Sequence, residues 1–357
     1  MFIIFTSVPS AMDALFDWAW AGRLAGPAHA ERLRAACGTN ALRVARREDG
    51  RCAATTVLAA YPLKLLLPTS PSPGGEAAWC YQLTYGGGLV SGDAVGLRVR
   101  VDAGARLVLT TQGSTKVYTR REWAGAAHFR GGEALQGLVA AVGAGGFLAV
   151  LPSAPVQCFA GAALRQYQLF DLAGPEADLV SVDWVAAGRE AGRREAWAFE
   201  RFFSKTAVRV AGRPLLIDAL RLEGPALRPL RELRFGASAT AVLVGARALA
   251  ATAAARARLL ARARAQFPSS ARQRRLLRGD AGPPAADLGP VPEGLLVSAS
   301  PLTDAATGRE VGAVVRVLGR GTEDVQAVLA DLLGGLTDGT AGGGCLLGER
   351  NPYRAGC

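Results

Sequence analysis

LRVRVDAGARLVL, residues 97–109, sets Leu97, Val99 and Val101 against Arg98, Arg100 and Asp102, turns at Ala103-Gly104, and returns through Leu107 and Leu109. A period of two marks a strand with one buried face, so the stretch reads as two half-buried strands and a tight turn. The unit recurs. Ala144-Gly145 precedes Phe147-Leu-Ala-Val150, and Ala173-Gly174 precedes Leu179-Val-Ser-Val182, which puts Leu107, Leu148 and Leu179 in equivalent positions 41 and 31 residues apart. A spacing that varies this much predicts stacked β-coils or a sandwich rather than a strict solenoid.

Outward from that centre, Leu42–Arg46 and Ala54–Leu58 flank Asp49-Gly50 and predict a hairpin. Further strands are expected at 202–203, 208–210, 215–217 and 313–318. The segment 246–266 is rich in Ala and Arg and spaces Leu249, Leu259, Leu260, Ala263 and Phe267 for one helical face. A Gly/Pro-rich linker, 279–292, follows. Thr322-Glu-Asp reads as an N-cap with acids in the first turn of a helix reaching Leu333. Residues 1–40 are expected as an N-terminal extension of short helices or disorder, and 336–357 as a mobile Gly-rich tail. The fold class is therefore mainly β, stacked β-coils or a sandwich over 41–335, with an Ala/Arg-rich insertion at about 246–292 and a few helices including one near the C-terminus.

The chain of 357 residues is 50% hydrophobic and carries a formal charge of +11. That balance suggests an anionic partner, but nine arginines between Arg247 and Arg278, with no acid among them, supply most of it. No aromatic residue interleaves with them to stack bases, which weakens an RNA-binding reading. The six cysteines form no C-x-x-C pair and read as reduced thiols of a cytoplasmic protein. The apolar opening lacks a preceding cation and is not expected to be a signal peptide, and a start at Met12 is as reasonable as one at Met1. No run of about 18 apolar residues is present.

YGGGLVSGD, residues 85–93, is the first stretch that resembles a site. A phosphate-binding loop needs G-x-x-x-x-G-K-[ST], yet Asp93 stands where the lysine belongs, and Ser91 breaks the dinucleotide fingerprint. A tight turn of glycines at positive φ, with Asp93 capping backbone amides, explains the same residues without a ligand. Only His29 and His128 are present, and no nucleophile elbow accompanies them. Asp93 and Asp183 remain as candidate paired carboxylates, although a lone buried Asp more often has a structural part.

Motif order goes further. YPLKL (61–65), YQLTYGGGLVSGD (81–93), LTTQGSTKVY (109–118), Leu151-Pro152, FAGA (159–162), DWVAAGR (183–189) and VVRVL (314–318) together resemble the urease accessory protein UreD, also called UreH. The likeness runs from about residue 40 to 335. It implies a largely β-helical, non-catalytic scaffold that binds apo-urease, UreF and the GTPase UreG, holds no tight cofactor, and passes Ni²⁺ through an internal tunnel. By motif position it implies that Asp93, Thr115 and Asp183 lie on the nickel path. Gly87, Gly88, Gly92, Lys116, Tyr118, Gly188 and Arg189 match the motif as tunnel-lining or structural residues, with Lys116 and Arg189 expected in ion pairs. Ala94 and Ala149 stand where many relatives carry acids, which implies a less charged or differently routed tunnel. The 247–278 insertion is expected on the surface, away from it. Two readings from other classes remain open: a β-helical carbohydrate-active enzyme, which needs two carboxylates facing one groove, and a basic RNA- or protein-binding module.

Overall fold

The computed structural model describes residues 17–68, 77–120, 132–189, 195–266, 294–305, 307–337 and 352–353. The linker at 279–292, His128 and nearly all of the tail lie outside these. Helices α1 (Trp18–Ala25) and α2 (Pro27–Gly38) precede a hairpin of β1 (Ala41–Arg46) and β2 (Cys52–Leu58), then β3 (Leu63–Leu66). Four turns of chain follow. The first holds β4 (Ala78–Thr84), β5 (Gly88–Leu89) and β6 (Ala94–Val101), and the second β7 (Arg106–Thr111), β8 (Lys116–Val117) and β9 (Ala134–Val142). The third holds β10 (Phe147–Leu151), β11 (Val156–Cys158) and β12 (Ala163–Leu172), and the fourth β13 (Asp178–Ala186) and β14 (Arg201–Val210). The chain ends with β15 (Arg213–Glu223), α3 (Leu227–Glu232), β16 (Ala237–Val244), α4 (Ala246–Gln266), β17 (Leu295–Thr303), β18 (Glu310–Gly319) and α5 (Thr322–Leu333).

The turns stack in parallel. A seven-stranded sheet runs β15-β14-β12-β9-β6-β1-β2, and an eleven-stranded one has the path β17-β18-β16-β13-β10-β7-β4-β3 with β5, β8 and β11 alongside. Leu107, Leu148 and Leu179 lie side by side in that second sheet, as their spacing predicts. The reading of 97–109 needs one correction. Strands β6 and β7 do not pair with each other, because the turn at Gly104 (φ +67) carries the chain from one sheet to the other. The Gly104 amide donates to Ala144 O in the next coil, at 2.9 Å, so the bends stack as the strands do.

Alternation along each strand gives both sheets an inner and an outer face. The inner faces meet in one core, to which β6, β7, β9 and β10 contribute Leu97, Leu107, Leu138 and Leu148. The outer face of the larger sheet, with Val180, Val182 and Trp184, packs under α4 and α5. The outer face of the smaller sheet, with Leu135, Val139 and Leu169, packs under α1 and α2 through Trp20, Leu33 and Cys37. Each fully buried side chain of this kind contributes on the order of 2 kcal/mol. Room for α2 comes from glycine: a Cβ on Gly137 would lie 1.9 Å from Leu33 Cδ1, and one on Gly96 would lie 2.6 Å from Cys37 Sγ.

Several expectations change. Of the two alternatives for the N-terminal extension, residues 18–38 take the helical one, and the two helices are packed on the fold rather than loose. Helix α4 has the bounds its spacing predicts, but it is not a surface addition, since Ala248, Ala255 and Leu259 are buried against the larger sheet. It lies on the outer face of that sheet, with the shared core on the other side. Three of its arginines are engaged within the chain: Arg247 with Asp178 (2.5 Å), Arg256 with Glu310 (2.6 Å) and Arg258 with Asp331 (2.5 Å). At α5 the cap is Gly321, whose amide donates to Asp324 Oδ2 at 3.1 Å, and Thr322 is the first helical residue. Among the described residues, no helix is long and apolar enough to cross a membrane.

Candidate functional site

Strand β13 turns Val180, Val182 and Trp184 outward and Ser181, Asp183 and Val185 inward. Asp183 thereby enters the core between the two sheets. Its Oδ1 accepts from Gln166 Nε2 at 2.9 Å, and its Oδ2 accepts from the Ser204 hydroxyl. Gln166 Nε2 also lies 3.2 Å from Ser204 Oγ, and Ser181 Oγ donates to Gln168 Oε1 at 3.3 Å. Gln136, Gln166 and Ser204 are lateral neighbours across β9, β12 and β14, so the seven-stranded sheet presents a polar row to one carboxylate.

Between that row and β13 lies a cavity of about 70 Å³, lined among others by Gln82, Thr111, Thr115, Gln136, Gln166 and Asp183. A water needs about 10–15 Å³ of such space, so the cavity has room for several. Among the described residues Asp183 supplies its only charge, and no Lys or Arg contributes to the lining. The side chain retains some accessible surface because it faces this cavity, although it lies deep in the fold. Burial pushes its carboxyl above the ordinary value of 3.8, the hydrogen bonds from Ser204 and Gln166 work against that rise, and the charge of Asp218 adds to it. A buried carboxylate held by neutral donors, without a cation, is an electrostatic trap for one.

The other motif residues divide. Thr115 joins Asp183 in the cavity lining, and its carbonyl also accepts from Gln157 N at 2.9 Å. Asp93 does not line the cavity. Its Oδ2 accepts from Val90 N at 2.9 Å, closing the turn between β5 and β6 as the capping reading expects. Gly92 in that turn takes φ of +82, and Gly86 and Gly87, just before β5, take +76 and +72. Gly88 is extended and has a different reason to be glycine, since a Cβ there would meet Lys116 O at 2.5 Å and the Tyr118 ring at 2.8 Å. Tyr118 donates to Gly86 O at 3.3 Å and packs edge-on against Phe159.

Gly188 (φ +121) accepts from Gln157 Nε2 at 3.2 Å. Arg189 makes the expected ion pair, bidentate to Glu195 at 3.0 Å, with its guanidinium 3.9 Å from the Phe159 ring centroid. Lys116 is exposed and forms no ion pair among the described residues, contrary to expectation. These groups lock the bends around the cavity. Cys37, Cys80 and Cys158 are buried, and burial pushes the first two thiols up to about 12 and the third higher still, so they are not thiolate ligands at neutral pH.

Gln136, Gln166, Gln168 and Ser204 escape the sequence reading. A signal for them exists: Gln166 and Gln168 share strand parity with Leu164, Phe170 and Leu172, so β12 carries two polar residues on its core face.

The family model for the UreD urease accessory protein matches residues 36–344. The urease accessory protein UreD of Sorangium cellulosum is 40% identical over 299 residues, which is 82% of this chain and 80% of the relative. That of an Anaeromyxobacter species is 47% identical over 182 residues, 50% of this chain and 56% of the relative. Urease accessory protein D of Arabidopsis thaliana is 37% identical over 208 residues, 57% of this chain and 67% of the relative.

Proposed function

This chain belongs to the UreD family of urease accessory proteins, and we propose that it acts as a scaffold which binds apo-urease with UreF and UreG and conducts Ni²⁺ past Asp183. The observation that carries the reading is one buried carboxylate, held by Gln166 and Ser204 and facing a cavity without a positive charge. A passing divalent cation favours the ionised form of Asp183 and displaces its proton. Amide oxygens of Gln82 and Gln136 and the hydroxyls of Thr111 and Thr115 supply further oxygen ligands. Such hard, neutral donors bind nickel more weakly than a His/Cys cage, and transit requires that the ion be able to leave. The carbohydrate-active reading needs a second carboxylate, and the lining of this cavity contains none.

The test is Asp183→Asn, which keeps the size and hydrogen-bonding capacity of the side chain and removes its charge. Urease activation in cells supplying the other maturation proteins is expected to fall at least about tenfold, with urease, UreF and UreG still co-purifying with the variant. Unchanged activation would sink the conduit reading. Loss of the complex together with activation would assign Asp183 to assembly instead.

A further inference from the structure

The polar row does not stop at Asp183. Across the larger sheet, its register neighbour on β16 is Thr240, the neighbour of Thr240 on β18 is Arg316, and that of Arg316 on the edge strand β17 is Ser298. All four share the inner-face parity, because Ala239, Ala241, Val315, Val317 and Val297 take the outer one. The smaller sheet does the same: Gln168, Thr206 and Asp218 are register neighbours across β12, β14 and β15. Two polar rows therefore face each other from the centre of the core to the last strand of each sheet. At the inner end Asp183 reaches across to Gln166 and Ser204, two residues along β12 and β14 from Gln168 and Thr206, and at the outer end the ion pair of Arg316 with Asp218 at 2.5 Å joins the two rows.

A second cavity, of about 380 Å³, opens at this outer end, where Asp218, Ser238, Thr240, Ser298 and Arg316 contribute to its walls. Side-chain exposure of 45% for Arg316 and 22% for Asp218 puts the pair at the boundary with water. Strand spacing of about 4.8 Å places the Arg316 backbone only about 10 Å from that of Asp183. Polar residues at core-facing positions cost stability unless they are hydrated or bonded, so an unbroken file of them between two cavities calls for water along it.

We propose that the cavity at Asp183 opens to the exterior along this file, and that the Arg316–Asp218 pair is the charge gate of that mouth, restricting the entry of cations. The inference rests on the conduit reading for its biological use, but the mouth itself can be tested without urease. With Arg316 paired, Asp218 is neutralised and the guanidinium opposes a cation. If a partner's carboxylate draws Arg316 away, the same mouth becomes acidic.

The experiment places a reporter thiol behind the gate. Thr240→Cys is made in the purified full chain with Cys52, Cys345 and Cys357 changed to Ser, and its modification rate is measured with cationic aminoethyl and anionic sulfonatoethyl methanethiosulfonate. Arg316→Gln is expected to raise the cationic rate at least about tenfold relative to the anionic one, and the charge swap Asp218→Arg with Arg316→Asp to restore the original ratio. A thiol at position 240 that does not react in any background, or a cationic-to-anionic ratio indifferent to Arg316, overturns the proposal. Melting temperatures show that each variant is folded. If Asp183→Asn leaves urease activation intact, the conduit reading falls, yet the labelling ratio still decides the mouth.

Discussion

Two charged clusters sit on opposite faces of the same strands. On the outer face of the seven-stranded sheet, Glu133 is gripped by Arg165 at 2.7 Å and by Arg201, Arg201 also pairs with Glu223, and Arg165 lies over the Phe203 ring. On the inner face, one residue along β12 from Arg165, Gln166 reaches Asp183, and among the described residues no cation lines that cavity. Burial acts to raise both carboxyls. Two arginines overcome it at Glu133 and hold its pKa below the ordinary value of 4.5, whereas a glutamine and a serine do not at Asp183, which stays above 3.8. The outer cluster is satisfied within the fold. The inner one leaves a charge for something else to complete, which separates a structural ion network from a candidate cation site on chemistry rather than position.

The sharpest way to break this contrast is to neutralise Glu133. Glu133→Gln leaves Arg165 and Arg201 without their shared partner in a half-buried site, at an expected cost of about 2 kcal/mol by urea denaturation at pH 7. The sign follows from the lowered pKa: the contribution of Glu133 is present above pH 4.5 and is lost as pH falls through the depressed value, so wild type and variant converge in acid. A cost near zero at neutral pH would show that the outer network is solvent-screened and the comparison empty. Next in size is Ser204→Ala. It removes a donor that favours ionised Asp183, and about 1 kcal/mol of stability should be lost at pH 8, less at pH 3, below the ordinary value of 3.8. An equal loss at both pH values would mean that the serine matters only for packing.

How much of this was legible depends on the distance between partners in the chain. Alternation marked β6 and β7 correctly, and the spacing of Leu107, Leu148 and Leu179 carried the register of three coils. What alternation could not say is that β6 and β7 belong to different sheets, since a tight turn between two strands looks the same whether it closes a hairpin or bends a coil. Alternation predicts that β6 is half-buried, but Arg98 on its charged side is itself buried under α2 and donates to Gly38 O at 3.0 Å. That contact spans 60 residues, and no local pattern announces it. The same holds at the site. Asp183 and Thr115 came from motif resemblance, while Gln166 and Ser204 lie 17 and 21 residues from Asp183 and become its partners only once coil length is known. Asp93 has a partner three residues away, and its capping part was readable from the turn alone.

The smallest expected effect has the opposite sign and is the most informative. Because the carboxyl of Asp183 is raised in the folded protein, its contribution is fully present below the ordinary value of 3.8 and is lost as pH rises through the raised one. Above that ordinary value the protein therefore carries the cost that burial imposes on ionising this group. Asp183→Asn removes that cost while an amide can still accept from Gln166 and donate to Ser204, so the variant should be more stable than wild type by up to about 1 kcal/mol at pH 8 and indistinguishable from it in acid. A residue kept for the fold would show the reverse, a loss on substitution at every pH. Gain of stability alongside loss of urease activation would be the signature of a charge retained for function at the expense of the fold. If Asp183→Asn instead destabilises at neutral pH, the carboxylate is a structural acceptor like Glu133, and the distinction between the two faces of β12 collapses.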